Sequence, residues 1–155
     1  MSFYDWMLAF HLLSAFAVGA ALVLYSVLVF AGRRMTTLAE TRALFRLGPL
    51  GTILIIAGSA LVLVFGVILA LDSDTFEIWD GWIIAGIILW AALAAVGQRT
   101  GTYYMAVDKL AQQSDAGTEA EVLSRLRAST GATLHFVTVG IFLLLLLDMI
   151  FKPGA

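Results

Sequence analysis

The sequence predicts an all-α integral membrane protein. The expected fold is a single four-helix transmembrane bundle over residues 1–155, with both termini outside and a cytoplasmic helical extension between spans three and four. Three observations carry this expectation. Apolar residues make up 61% of the 155 positions and charged residues only 13%, against about half and about a quarter in ordinary soluble domains, and mean hydropathy is +0.98. Uncharged runs recur at close to the twenty or so residues that a helix needs to cross the hydrocarbon core. The basic residues gather between runs one and two and between runs three and four, whereas the segment between runs two and three is acidic.

Span one covers about 6–32, WMLAFHLLSAFAVGAALVLYSVLVFAG, and stops abruptly at Arg33-Arg34. Its N-terminal flank, MSFYDW, is acidic and aromatic, and the basic residues follow the apolar run. A cleaved signal peptide has the opposite order, so this run reads as a retained span. RRMTTLAETRALFRLG then reads as a short loop holding Arg33, Arg34, Arg42 and Arg46. Span two covers about 47–71, with Pro49 near its start, where a helix tolerates proline best. The connection DSDTFEIWD carries Asp72, Asp74, Glu77 and Asp80 and no basic residue. Span three covers about 81–98, and span four about 128–151, closed by Lys152-Pro153-Gly154.

Short cytoplasmic loops collect Lys and Arg. Arg33, Arg34, Arg42 and Arg46 lie in one connection and Arg99, Lys109, Arg125 and Arg127 in another, so these two segments are expected inside and the termini outside. Trp6, Trp79 and Trp82 would then share the outer interface, where indole rings prefer to sit.

The stretch 99–127 is the only sizeable polar segment. Tyr104, Val107, Leu110 and Ala111 recur at helical spacing, so span three is expected to continue into the cytoplasm as helix. Ser114 to Gly117 reads as a turn. Thr118 with Glu121 three residues on has the capping-box pattern, opening a helix with Val122, Leu123 and Leu126 on one face and an i,i+4 pair Glu121–Arg125. That helix is expected to feed straight into span four, with Gly131 as its weak point. The resulting hairpin is either a partner-docking surface or a structural extension.

Several classes of function are excluded or disfavoured. Without cysteine there is no disulfide, thiolate site or thiol catalysis. No basic patch with interleaved aromatics suggests nucleic acid. HExxH, GxSxG and phosphate-loop motifs are missing. The spans also lack the series of acidic residues or broken helices that mark transporters.

The informative residues are the polar ones inside spans, because placing them in lipid is costly. Ala15-x-x-x-Gly19, and Gly51, Gly58 and Gly66, are small positions that let helices approach closely. His11 and Asp148 both fall roughly 12 Å above the midplane by helix rise. If the first helix packs beside the fourth, they approach one another, as either a structural contact or a small polar site. Met7 lies one turn before His11 and Met149 beside Asp148, and an imidazole with thioethers is a soft ligand set suited to Cu(I). Imidazole is also the usual protein ligand to haem iron. His135 lies in the opposite leaflet, roughly 20 Å from His11 along the normal, so one haem is not bridged by both. It reads as a residue hydrogen-bonded to a neighbouring helix or, alternatively, as a ligand.

AFHLLSAFAVGAAL in span one and the hydrophobic-DMIFKPG tail of span four resemble small bacterial four-span membrane proteins. These are distantly similar to the membrane part of copper-resistance D proteins and to HemJ-type protoporphyrinogen oxidases. The HemJ resemblance implies His11 as a ligand to haem b, and the copper-protein resemblance implies Met7, His11 and Met149 as metal contacts. HemJ-type enzymes also carry a lysine within the spans, and here none falls there. The resulting expectation is a non-catalytic, multi-pass protein of the bacterial cytoplasmic (inner) membrane. Its partners would be the lipid bilayer and a homo-oligomer or larger membrane complex, not nucleic acid. A haem b or copper protein in redox or metal handling is the first alternative, and an oligomeric channel or transporter subunit the second.

Overall fold

The computed structural model describes residues 2–72, 77–114 and 117–153. Asp74, the middle of the Ser114–Gly117 turn and Gly154 lie outside them. The described residues form six helices, α1 Phe3–Gly32, α2 Leu38–Phe45, α3 Gly48–Leu71, α4 Gly81–Gln113, α5 Glu119–Arg127 and α6 Ser129–Phe151. The apolar stretches of α1, α3, α4 and α6 are long and hydrophobic enough to cross a membrane.

These four helices associate as two close pairs, α1 with α3 and α4 with α6, joined by lighter α1–α6 and α3–α4 contacts. Lipid tails are as apolar as leucine, so close backbone approach and interhelical hydrogen bonds must hold such pairs together. The glycines of α3 supply the approach. A Cβ on Gly58 would lie 3.0 Å from the Ser14 carbonyl and 3.2 Å from the Val18 nitrogen, so α1 backbone fills the space a side chain would need. Gly51 receives the Tyr25 ring and Gly66 the His11 ring in the same way. Gly19 faces the Phe142 ring of α6 at ordinary contact distance. Val18, Leu22, Leu93 and Leu145 form the buried centre where three of the long helices meet.

The segment between α1 and α3 is not a plain loop. It contains α2, opened by a complete capping box: Glu40 N donates to Thr37 Oγ1 (3.3 Å) and Thr37 N donates to the Glu40 carboxylate (3.3 Å). The same T-x-x-E spacing at Thr118 does not close. Thr118 stands at the N-cap of α5 with φ −111° and ψ 3° and makes no side-chain capping bond, because a capping side chain needs the extended backbone that Thr37 has at φ −132° and ψ 155°. Glu121 instead pairs with Arg125 at 2.8 Å, as the spacing predicts. Both side chains are about half exposed, which limits the pair to a small contribution.

α4 runs unbroken to Gln113, in agreement with the helical periodicity. α5 does not run on into α6. The chain breaks at Ala128, whose ψ of 141° leaves the helical region, and α5 turns back onto α2 and α4. Gly131 is no break. It lies inside α6, where an added Cβ would meet the Tyr103 ring at 2.6 Å and the Tyr104 hydroxyl at 2.8 Å.

α2, α5 and the end of α4 enclose a separate core of Leu38, Val107, Ala111, Val122 and Leu126. Burying a side chain of Val or Leu size from water is worth about 1.5–3 kcal/mol, so this core is held by the hydrophobic effect that is missing between helices in lipid. Polar bonds fasten it. Arg42 donates from Nε to the Ala111 carbonyl (2.8 Å) and from a terminal nitrogen to the Ser114 carbonyl (2.7 Å), satisfying acceptors at the α4 C-terminus. Leu38 N donates to Glu119 Oε1 at 2.8 Å, and Arg127 donates to the Met35 carbonyl at 2.9 Å. The apolar residues of the extension that recur at helical spacing, Val107, Ala111, Val122 and Leu126, are thus buried against one another.

Candidate functional site

The two histidines within the long helices fall at different depths. At the end that carries the helical extension, His135 is almost completely buried and its Nε2 lies 2.8 Å from Ser26 Oγ. Ser26 Oγ lies 2.8 Å from the Leu22 carbonyl, which can only accept. The hydroxyl has one proton, so His135 donates from Nε2 into Ser26. Nearby, Tyr25 and Thr52 hydroxyls meet at 2.8 Å across α1–α3, and Thr100 and Thr138 hydroxyls at 3.2 Å across α4–α6. Midway, Trp90 Nε1 donates to the Ser59 carbonyl at 3.1 Å and joins α4 to α3.

At the opposite end, His11 Nδ1 lies 3.0 Å from the Val62 carbonyl. Because a carbonyl only accepts, Nδ1 carries the proton and Nε2 keeps a lone pair unless the ring is fully protonated. Asp148 packs on α4: its Oδ2 lies 3.3 Å from where a Cβ on Gly86 would be, and it is buried without a hydrogen-bond partner among the described residues. Met149 places its methyl against the same glycine.

His11 and Asp148 share an end of the molecule but are not bonded to one another. His11 belongs to the α1–α3 pair and Asp148 to the α4–α6 pair. α1 does touch α6, through Ser26–His135 and Phe30–Phe136 (ring centroids 5.8 Å), but α3 and not α6 is its chief neighbour. Met149 goes with Asp148, and Met7 is half-buried one turn from His11. His11 and Ser26, the latter marking the depth of His135, are about 22 Å apart by helix rise, which keeps the two histidines well separated. Among the described residues no three of His, Cys, Asp and Glu converge on one point.

The same end carries Trp6, Trp79 and Trp82. Trp79 is exposed, and Trp6 stacks on Phe10 (6.1 Å), which stacks on Phe65 (5.3 Å). Trp82 is 8% exposed, with the Lys152 ammonium 5.2 Å from its ring centroid.

Sequence reasoning missed Ser26, Tyr25, Thr52 and Trp90 as fasteners. Each is a hydrogen-bonding side chain in an otherwise aliphatic run, the signal that singled out the histidines. Outside the spans, burial pushes the Tyr104 phenol up to about 12, with Tyr103 adding to the shift and Arg33 partly offsetting it. The Thr36 amide, aided by the Thr36 hydroxyl and the Thr37 amide, holds the Glu40 carboxyl below its ordinary value.

Comparison with known protein families, with curated proteins and with solved structures returns no match. What the fold defines is a class: an all-helical chain with four helices capable of spanning a membrane, hence a multi-pass membrane protein by length and composition.

Proposed function

We propose that this chain is a non-catalytic integral protein of the bacterial cytoplasmic membrane, with both termini outside, acting as an accessory component within a homo-oligomer or larger membrane complex. The observation that most supports this reading is where the intramembrane polar groups go. Ser26–His135, Tyr25–Thr52, Thr100–Thr138, Trp90–Ser59 and His11–Val62 all join one helix to another. Polar side chains arranged in this way fix the packing of spans. A scaffold requires that and no convergent reactive centre.

Native electrophoresis of gently solubilised membranes, with cross-linking in intact membranes, tests the proposal. A species well above the 16.7 kDa chain is expected. Monomer in every mild detergent, with no cross-linked neighbour, would overturn it. Sidedness is checked separately, since the chain has no cysteine: Ser2→Cys should react with an impermeant maleimide from outside and Ser124→Cys only after permeabilisation.

One observation favours a second reading, a haem b or copper protein. The Val62 carbonyl holds the Nδ1 proton of His11 and leaves Nε2 as the donor, the arrangement by which a backbone carbonyl orients a ligating imidazole. His11 would hold the haem iron; with Met7 and Met149 it would instead form a soft set for copper. A bound haem supplies one-electron redox chemistry. The purified protein would then show a Soret band that His11→Ala removes; colourless, iron-free protein at full yield dismisses the haem. Copper content measured with and without Met7→Leu decides the metal variant.

A further inference from the structure

The arginines at the basic end divide into two groups by what they touch. Arg42, Arg125 and Arg127 have protein acceptors at 2.7–2.9 Å and belong to the helical extension. Arg33, Arg34, Arg46 and Arg99 are exposed, and their guanidiniums have no hydrogen-bond or ion-pair acceptor among the described residues. These four flank the spans. Arg33 and Arg34 follow the last residue of α1, Arg46 stands two residues before α3, and Arg99 lies where the apolar part of α4 ends.

The described carboxylates at this end are already committed. Glu40 accepts from the amides of Thr36 and Thr37, Glu119 from Leu38 N, Glu121 from Arg125 and Asp108 from Gln112. Exposed apolar side chains border the free arginines: Phe30 is 56% exposed, Leu47 49% and Leu50 55%. A side chain exposed on such a surface faces acyl chains, so the guanidiniums beside them stand at the depth of lipid phosphates. α1 and α3 are antiparallel and closely packed, which brings Arg33, Arg34 and Arg46 to one end of one helix pair.

We propose that Arg33, Arg34 and Arg46, with Arg99 at the same end of α4, form a binding surface for the phosphodiester head groups of anionic phospholipids. Guanidinium pairs with phosphate through two parallel hydrogen bonds, and each basic side chain near an anionic surface contributes about a five-fold gain in affinity. Selectivity for anionic over zwitterionic lipid follows because a zwitterionic head group brings its own ammonium, which a cluster of guanidiniums repels. The inference rests on the multi-pass reading above, but it does not depend on which side of the membrane this end faces.

Native mass spectrometry of the full chain, released from micelles doped equally with phosphatidylglycerol and phosphatidylcholine, tests it. Phosphatidylglycerol adducts should predominate. The triple variant Arg33→Gln/Arg34→Gln/Arg46→Gln should lower that preference by at least ten-fold, and Arg125→Gln should leave it unchanged. Circular dichroism establishes that each variant is folded; if the triple variant is not, Arg34→Gln and Arg46→Gln are compared singly, each expected to lose about five-fold. Equal retention of the two lipids, an equal loss in Arg125→Gln, or displacement by millimolar inorganic phosphate would overturn the proposal. Detergent-phase lipid preference is independent of sidedness, so a failure of the maleimide experiment and a failure here are distinguishable.

Discussion

His135 and Ser26 meet at 2.8 Å across α6 and α1, and because the Ser26 hydroxyl donates its hydrogen bond to the Leu22 carbonyl, the imidazole is the donor to Ser26. This bond is among the few side-chain links between the two helix pairs. Interhelical hydrogen bonds in membranes contribute about 0.6 kcal/mol on average and at most about 1.7. Ser26→Ala should therefore lower stability by about 0.6–1.7 kcal/mol in detergent unfolding. His135→Ala, which also leaves a cavity at a nearly fully buried site, should cost about 2–4 kcal/mol. Equal costs would show that the hydrogen bond, and not packing, dominates at this position.

The glycines of the long helices should respond unequally to a methyl group. At Gly58 the new Cβ would press on α1 backbone at 3.0 Å, and overpacking of this kind costs about 1–3 kcal/mol. At Gly140 nothing stands within 4 Å, so Gly140→Ala should be neutral or stabilising by up to about 1 kcal/mol through helix propensity. Thermal unfolding of the two variants side by side checks the contrast.

Arg42 anchors α2 to the C-terminus of α4. Arg42→Met keeps the aliphatic stem and removes both carbonyl bonds, each worth about 1.5–3 kcal/mol when the donor is charged. The expected readout is local: faster proteolysis between α4 and α5, with the long helices still protected. Cleavage at the wild-type rate would mean that the apolar core alone holds the extension.

Glu40 gives a pH dependence with a definite sign. Its folded carboxyl titrates below the ordinary 4.5 because the Thr36 and Thr37 groups donate to the ionised form. The unfolded chain binds its proton first as pH falls, so the contribution of Glu40 is complete above about 4.5 and fades as pH drops through the lower folded value. The melting temperature of wild type should exceed that of Glu40→Gln at pH 7, and the gap should narrow below pH 4.5. A constant gap would assign the effect to shape and not to charge.

The long helices were legible because a hydrocarbon crossing demands an uncharged run of fixed minimum length, and little else in a sequence looks like one. Gly51, Gly58 and Gly66 were legible as close-approach positions because small residues let helices meet closely in lipid. The partner of each polar residue was not. His11 meets Val62 and Asp148 meets Gly86 because α1 pairs with α3 and α4 with α6, and span order alone leaves that pairing open. α2 was hidden by its brevity, although its Thr37–Glu40 signature matches the one recognised at Thr118. There the backbone angles, which residue type does not determine, kept the cap from forming. The break at Ala128 was likewise invisible: alanine is a strong helix former, and only the docking of α5 onto α2 and α4 requires the chain to turn.

The pairing of α1 with α3 and α4 with α6 has a consequence for biogenesis. Each pair is a helical hairpin contiguous in the chain, so each can enter the bilayer as a finished unit while the ribosome is still at work on the next. Severed in the acidic connection between them, the two halves should meet again when made together in one cell, since Trp90 with Ser59 and Ser26 with His135 need only lateral diffusion to find each other.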